Sequence, residues 1–246
     1  MAYRTRSRLG VFYAPGFPPA VKWLLISNSA IFILAYFSEL LGAGIPWHYL
    51  ALTPVEVLRS FYIWELGTYM FMHGGIWHLV WNMLALWMFG ADLEQTWGTR
   101  RFLNFYLTCG VGAGVCVVVL NYLLPWGTPG IHTVGSSGAI FGILMAYAVL
   151  FPNRTILFGF LIPIQVKWFV LIIGAVTFMM SFQPSQGVST FAHLGGLLVG
   201  WLWLKTPRGF SFSIVGPVQK TYTQWKLRRA RRKFEVWMRR HGRDMH

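Results

Sequence analysis

Two short stretches of this chain set hydroxyl and imidazole groups among glycines at the edges of apolar blocks. The first is Gly135-Ser136-Ser137-Gly138-Ala139-Ile140-Phe141-Gly142, where two serines stand between glycines at the start of an apolar run. A nucleophilic serine needs an approachable hydroxyl and backbone N–H groups aimed at a developing oxyanion, which a glycine-rich helix N-terminus supplies. The same residues also suit a helix N-cap and a small-residue packing surface. The second stretch runs from Ala192 and His193 through Gly196 to Gly200. Helical spacing puts both glycines on the histidine's face, so another helix can approach closely enough for the imidazole to reach a partner side chain. A neutral imidazole there accepts a serine proton; a packing histidine or a proton-relay element fits the same residue.

A third pair, His78 and Asn82, lies four residues apart and therefore on one helical face. Both side chains can donate hydrogen bonds to a tetrahedral intermediate, and an interhelical polar clasp is the plainer alternative. His73 and His78 lack a cysteine or carboxylate at ligand spacing, so no metal is expected. His48 and His132 fall in loops and read as exposed. Asp92 and Glu94 close the second apolar block, where pairing with Arg100 or Arg101 is the simplest account. Neither aspartate, Asp92 nor Asp244, falls on the serine's side of the chain. Unless Glu56 or Glu65 folds in as a third member, a Ser-His dyad is the economical arrangement, with no cofactor.

The elements that must hold these groups are membrane helices. The chain is 55% hydrophobic and only 11% charged, with mean hydropathy +0.51, too little charge for the surface of a water-soluble domain of 246 residues. Six apolar blocks are predicted to span a bilayer, at approximately 21–41, 77–90, 102–124, 137–151, 168–181 and 190–204. An even number returns both termini to one side. Of the 21 Lys and Arg residues, 20 fall on that side and only Arg59 falls opposite, as the positive-inside rule requires for cytoplasmic termini. The net charge of +14 is thus explained by a membrane surface, and no nucleic acid is expected. The expected fold is an all-α polytopic membrane protein, a six-helix bundle. Residues 1–20 form a basic cytoplasmic segment, 21–205 the membrane domain, and 206–246 a basic cytoplasmic tail. In that tail Leu227, Ala230, Phe234 and Trp237 recur at helical spacing, as in a helix lying on a membrane surface. The first block reads as a retained helix rather than a cleaved signal. The loop at 42–75 is aromatic and apolar, and is expected to lie partly in the membrane interface. Cys109 and Cys116, seven apart on one helix, read as packing residues.

Taken together, the three places resemble the rhomboid family of intramembrane serine proteases, over approximately residues 64–205. The family's Gly-x-Ser-Gly at the start of its fourth helix corresponds to Gly135, Ser136, Ser137 and Gly138. The resemblance implies that Ser137 is the nucleophile rather than Ser136. Ala192, His193, Gly196 and Gly200 match the sixth-helix motif and imply His193 as base. His78 and Asn82 match the second-helix His-x-x-x-Asn, implying oxyanion partners beside the Ser137 backbone, with His73 at the family's upstream histidine. Two departures stand out: Trp64-Glu65 replaces the family's usual Trp-Arg, and Phe141 replaces a frequent tyrosine that stacks on the base. Helical spacing still puts an aromatic ring one turn from Ser137, so stacking can persist without the hydroxyl.

The implied activity is hydrolysis of peptide bonds in or near transmembrane segments of membrane-anchored proteins, in a bacterial inner membrane. Such substrates must unwind locally to expose a carbonyl, favouring helix-destabilised segments. Residues 182–187, rich in Gly and Pro, are a candidate lid. Two rivals use the same features differently: a catalytically silent rhomboid-like chaperone or client-binding protein, and a transporter. The full set of Ser, His, His and Asn speaks against the first. The absence from the sequence of an inner-side cluster of ionisable groups within the blocks speaks against the second.

Overall fold

The computed structural model describes residues 16–43, 47–158, 161–181, 190–206 and Arg229. Helix α1 (Pro19–Leu40) begins with proline at its first position, where the missing N–H costs nothing. Its next two donors are held from far along the chain: the buried Glu94 carboxylate accepts the Ala20 and Val21 N–H groups at 2.9 and 2.8 Å, and the Thr99 hydroxyl at 2.6 Å. A carboxylate at a helix N-terminus also complements its dipole. One face of α1 buries Ala20, Val21, Leu24 and Asn28, while Trp23, Ile33, Leu34 and Phe37 point outward.

The connection after α1 contains a 3₁₀ turn (Trp47–Leu50), α2 (Pro54–Arg59), α3 (Glu65–Thr68) and a second 3₁₀ turn (Tyr69–Phe71). Helix α4 (Ile76–Ala85) then passes through a π-helical turn (Leu86–Gly90) into α5 (Ala91–Trp97), which ends at Gly98 with φ 79°. Helix α6 (Thr99–Leu123) is central, burying Phe102, Phe105, Tyr106, Cys109, Ala113 and Val117. A loop leads to α7 (Ser137–Leu150), and α8 (Val166–Met180) and α9 (Thr190–Lys205) follow.

Helices α6, α7 and α9 pack on one another more extensively than any other set. Small residues allow it. A Cβ on Gly142 would stand 2.6 Å from Cys109 Cβ, one on Gly195 would stand 2.6 Å from Cys116 Cβ, and one on Gly196 would overlap the Gly138 carbonyl oxygen. In a bilayer, where apolar side chains gain nothing by leaving lipid, close backbone approach is the main source of helix association.

Each apolar block coincides with a helix. Among the described residues, however, only Pro19–Leu40 and Thr99–Leu123 are long and apolar enough to cross a membrane by length and composition, with Ser137–Leu150 and Val166–Met180 shorter. The purely helical expectation also needs amendment. Strands β1 (Thr155–Phe158) and β2 (Ile162–Gln165) form a short antiparallel hairpin between α7 and α8, pairing Thr155 with Gln165 and Phe158 with Ile162. The β-branched Thr155, Ile156, Ile162 and Ile164 favour strands in this stretch between two blocks, and Pro163 disfavours a helix there.

The carboxylates after the second block have partners that the sequence reading does not name. Glu94 caps α1, and Asp92 accepts from Arg154 at 2.6 Å and from the Tyr147 hydroxyl at 2.8 Å. Arg101 lies over the Trp97 and Trp203 rings. The expected amphipathic tail helix and the candidate lid lie outside the described residues.

Candidate active site

Ser137 is the first residue of α7, and His193 lies one turn into α9. The close packing of these helices brings His193 Nε2 to 2.8 Å from Ser137 Oγ. In the tautomer protonated at Nδ1, Nε2 accepts the serine hydroxyl's hydrogen. Phe141, one turn after Ser137, stacks on the imidazole with ring centroids 4.2 Å apart and planes 4° from parallel. The serine and histidine are each partly exposed, whereas Ser136 is fully buried and the histidine's bond is to Ser137.

Glycines 196 and 200 make this separation possible. On Gly196 a Cβ would lie 2.9 Å from the Gly138 carbonyl carbon, and on Gly200 it would lie 3.0 Å from Gly142 Cα. Gly138 is equally confined, since a Cβ there would lie 2.7 Å from Ala113 Cβ and 3.1 Å from Tyr69 Oη. The serine thus sits where α7 meets the backbone of α9 and the Ala113 methyl of α6.

His78 faces the same spot from α4. Gly135 takes φ 117°, a conformation that a side chain would strain, and a Cβ there would stand 2.7 Å from His78 Cε1 and Nε2 and 3.8 Å from Ser137 Oγ. The Gly74 N–H donates to His78 Nδ1 at 3.4 Å, which leaves Nε2 as the protonated nitrogen on the edge nearest the serine. Asn82, buried, donates from Nδ2 to the His78 carbonyl at 2.8 Å, using one of its two amide hydrogens and leaving the other. At the start of α7 the first backbone N–H groups lack intrahelical acceptors, and that end of the helix carries partial positive charge. A donor edge of imidazole and a helix N-terminus therefore converge near Ser137 Oγ.

His73 stands beside His78 with ring centroids 5.2 Å apart. Burial first, and the neighbouring His78 second, pull its pKa down to about 4, so the ring is uncharged near neutrality. No cluster of metal-ligating side chains occurs among the described residues.

The two glutamates considered as a third triad member are engaged elsewhere. Glu56 accepts from the Ser60 hydroxyl, and the buried Glu65 accepts the Thr53 N–H at 2.8 Å. Burial raises the Glu65 pKa, with the Thr53 N–H opposing it. His48 is exposed against Tyr49, and His132 is exposed but bonded through Nδ1 to Thr53 Oγ1 at 2.7 Å.

Sequence reasoning passed over Tyr69, grouping it with the interfacial aromatics of the loop. It is fully buried: its hydroxyl donates to the Gly110 carbonyl at 2.7 Å, and its own carbonyl accepts the Gly135 N–H at 2.9 Å. Its position four residues before His73 carried no periodic signal, because the segment is a 3₁₀ turn rather than a helix.

Residues 60–207 match the family described as Rhomboid domain. Similar curated proteins include the mitochondrial Rhomboid protein 1 of Saccharomyces cerevisiae, 32% identical over 54% of this chain and 38% of that protein. RHOMBOID-like protein 1 of Arabidopsis thaliana is 33% identical over 62% of this chain and 36% of its own length. Rhomboid protease GluP of Bacillus subtilis is 36% identical over 56% of this chain and 25% of its own length. The chain spans well under half the length of each of these relatives.

Proposed function

Because the chain belongs to the rhomboid family, we propose that it is an intramembrane serine protease, hydrolysing peptide bonds in or near the transmembrane segments of membrane-anchored proteins. One observation carries this reading: Ser137 Oγ and His193 Nε2 lie 2.8 Å apart, within proton-transfer distance, at the start of a helix. The reading includes a domain over 21–205 that crosses a bacterial inner membrane six times, with both termini cytoplasmic and the Ser137 end of α7 toward the outer side. Supporting it are the one-sided placement of Lys and Arg and the outward-facing apolar side chains of α1 and α8.

In this mechanism His193 Nε2 takes the hydroxyl proton as Ser137 Oγ attacks the scissile carbonyl. The carbonyl oxygen gains charge, and the Ser137 N–H, His78 Nε2–H and the remaining Asn82 amide hydrogen are the donors offered to it. His193 then returns the proton to the leaving amine, and a water activated by the same nitrogen hydrolyses the acyl-enzyme. Phe141 holds the imidazole plane while its charge changes. The substrate helix must unwind to present its carbonyl, so segments with helix-destabilising residues are favoured.

The test is fluorophosphonate labelling of the detergent-solubilised chain, together with cleavage of a membrane-anchored substrate. Ser137 labels and the substrate is cut, while Ser137→Ala and His193→Ala each abolish cleavage with helicity unchanged. Cleavage retained by Ser137→Ala would sink the proposal, and a native chain that binds clients without labelling would favour the silent chaperone.

A further inference from the structure

Resting on the proposed role of Ser137, we infer that Glu65 is a positioning residue for the nucleophile, anchoring the segment that delivers Ser137 to His193 without touching either. The family resemblance supplies no role for it, since this position departs from the usual arginine.

The connection is continuous. Glu65 is 1% exposed, and its Oε2 accepts the N–H of Thr53, itself 3% exposed. Thr53 Oγ1 bonds His132 Nδ1 at 2.7 Å, and the adjoining Leu52 and Thr133 exchange both backbone hydrogen bonds, at 2.9 and 2.8 Å. Val55 N–H donates to the Pro129 carbonyl at 3.0 Å. Residues 129–133 are therefore strapped to 52–55, only four residues before Ser137.

Helix α3 carries a second strap. It starts at Glu65 and passes directly into Tyr69, whose carbonyl holds the Gly135 N–H. One rigid turn thus grips the approach to Ser137 at both ends, by a side chain at 65 and a carbonyl at 69. A carboxylate suits the first grip because a hydrogen bond to a charged acceptor is stronger than a neutral one, and because it has the reach to meet a main-chain donor twelve residues away. Without it the Thr53 N–H is a buried donor with no acceptor, and the strap holding Thr133 loosens. A shift of the serine by about 1 Å is enough to slow the chemistry up to about a hundredfold.

The experiment uses the full chain in detergent and follows the rate of fluorophosphonate labelling in the native protein and in Glu65→Ala, Glu65→Asp and Glu65→Gln, below each variant's unfolding temperature. The Ala variant, with no acceptor, and the Asp variant, a methylene too short, are expected to label at least about tenfold more slowly. The Gln variant, whose amide oxygen still accepts from Thr53, is expected to recover to within about threefold of native. Substrate kcat per folded site is expected to fall with KM unchanged, while the final extent of labelling stays native, which loss of fold would lower. Should the Ala variant fail to fold, the Asp and Gln pair decides. Equal rates for Asp and Gln, or native rates throughout, would overturn the inference while native labelling leaves the protease reading standing. No labelling of the native chain would remove both.

Discussion

The contact between α7 and α9 sets the distance on which the chemistry depends, and Gly196→Ala is the sharpest way to open it. The added Cβ would lie 2.9 Å from the Gly138 carbonyl carbon and 3.3 Å from its Cα, besides overlapping the carbonyl oxygen. Ordinary carbon contacts begin near 3.4 Å, so the helices must part by at least the difference, about 0.5 Å, and further to clear the oxygen. Neither neighbour is a flexible side chain, so little of the strain can be relieved by rotamer change. Added to a 2.8 Å Oγ to Nε2 distance, a 0.5 Å parting takes the pair to about 3.3 Å, beyond the range of about 2.6 to 3.2 Å for direct proton transfer. The expected result is a fall in kcat of about ten- to a hundredfold, with about 1 to 3 kcal/mol lost from stability by overpacking. Gly200→Ala, one turn further from His193 and 3.0 Å from Gly142 Cα, should cost similar stability but less kcat. Cleavage of a membrane-anchored substrate and thermal unfolding in the same detergent measure the two separately. Native kcat in a stably folded Gly196→Ala would refute the claim that this backbone contact fixes the dyad.

Phe141→Ala removes the ring stacked on His193 and should lower kcat about two- to thirteenfold, from about 0.5 to 1.5 kcal/mol for an aromatic pair, while Phe141→Tyr retains it. Substrate kinetics of the two variants check this, and equal losses would contradict it. Gly135→Ala combines φ 117° with a Cβ 2.7 Å from the His78 ring, so it should displace His78 and lower kcat at least about tenfold. A His78→Ala background should mask most of that loss. Glu94→Ala strips the acceptor from two buried α1 N–H groups and should cost about 1 to 3 kcal/mol in thermal unfolding. Arg154→Ala breaks a half-exposed ion pair and should cost under about 1 kcal/mol.

Much of the architecture could be read from residue types. Hydropathy runs of fourteen to twenty-odd residues locate helices because a backbone in lipid must satisfy its own hydrogen bonds, so the helix bounds fall within a few residues of the apolar blocks. Spacing also identifies which residues share a face: Gly196 and Gly200 with His193, Phe141 with Ser137, and Asn82 with His78. The β hairpin at 155–165 escaped, because four-residue strands leave no periodicity against an apolar background. Arg154 as a partner of Asp92 escaped too, since 62 residues separate the two.

What the order of residues determined by itself was the inventory: a membrane-suited chain, its helices, and a serine, two histidines and an asparagine placed where helices start or face one another. What only the tertiary structure decided was which of those groups meet. The 2.8 Å contact between residues 137 and 193, the burial of Tyr69 beneath the serine, and the reach of Glu94 to α1 and of Glu65 to Thr53 join positions from 12 to 74 residues apart. Local periodicity reports only neighbours within a turn or two, whereas such contacts depend on how closely whole helices pack, and that is set by glycines on one helix meeting backbone on another.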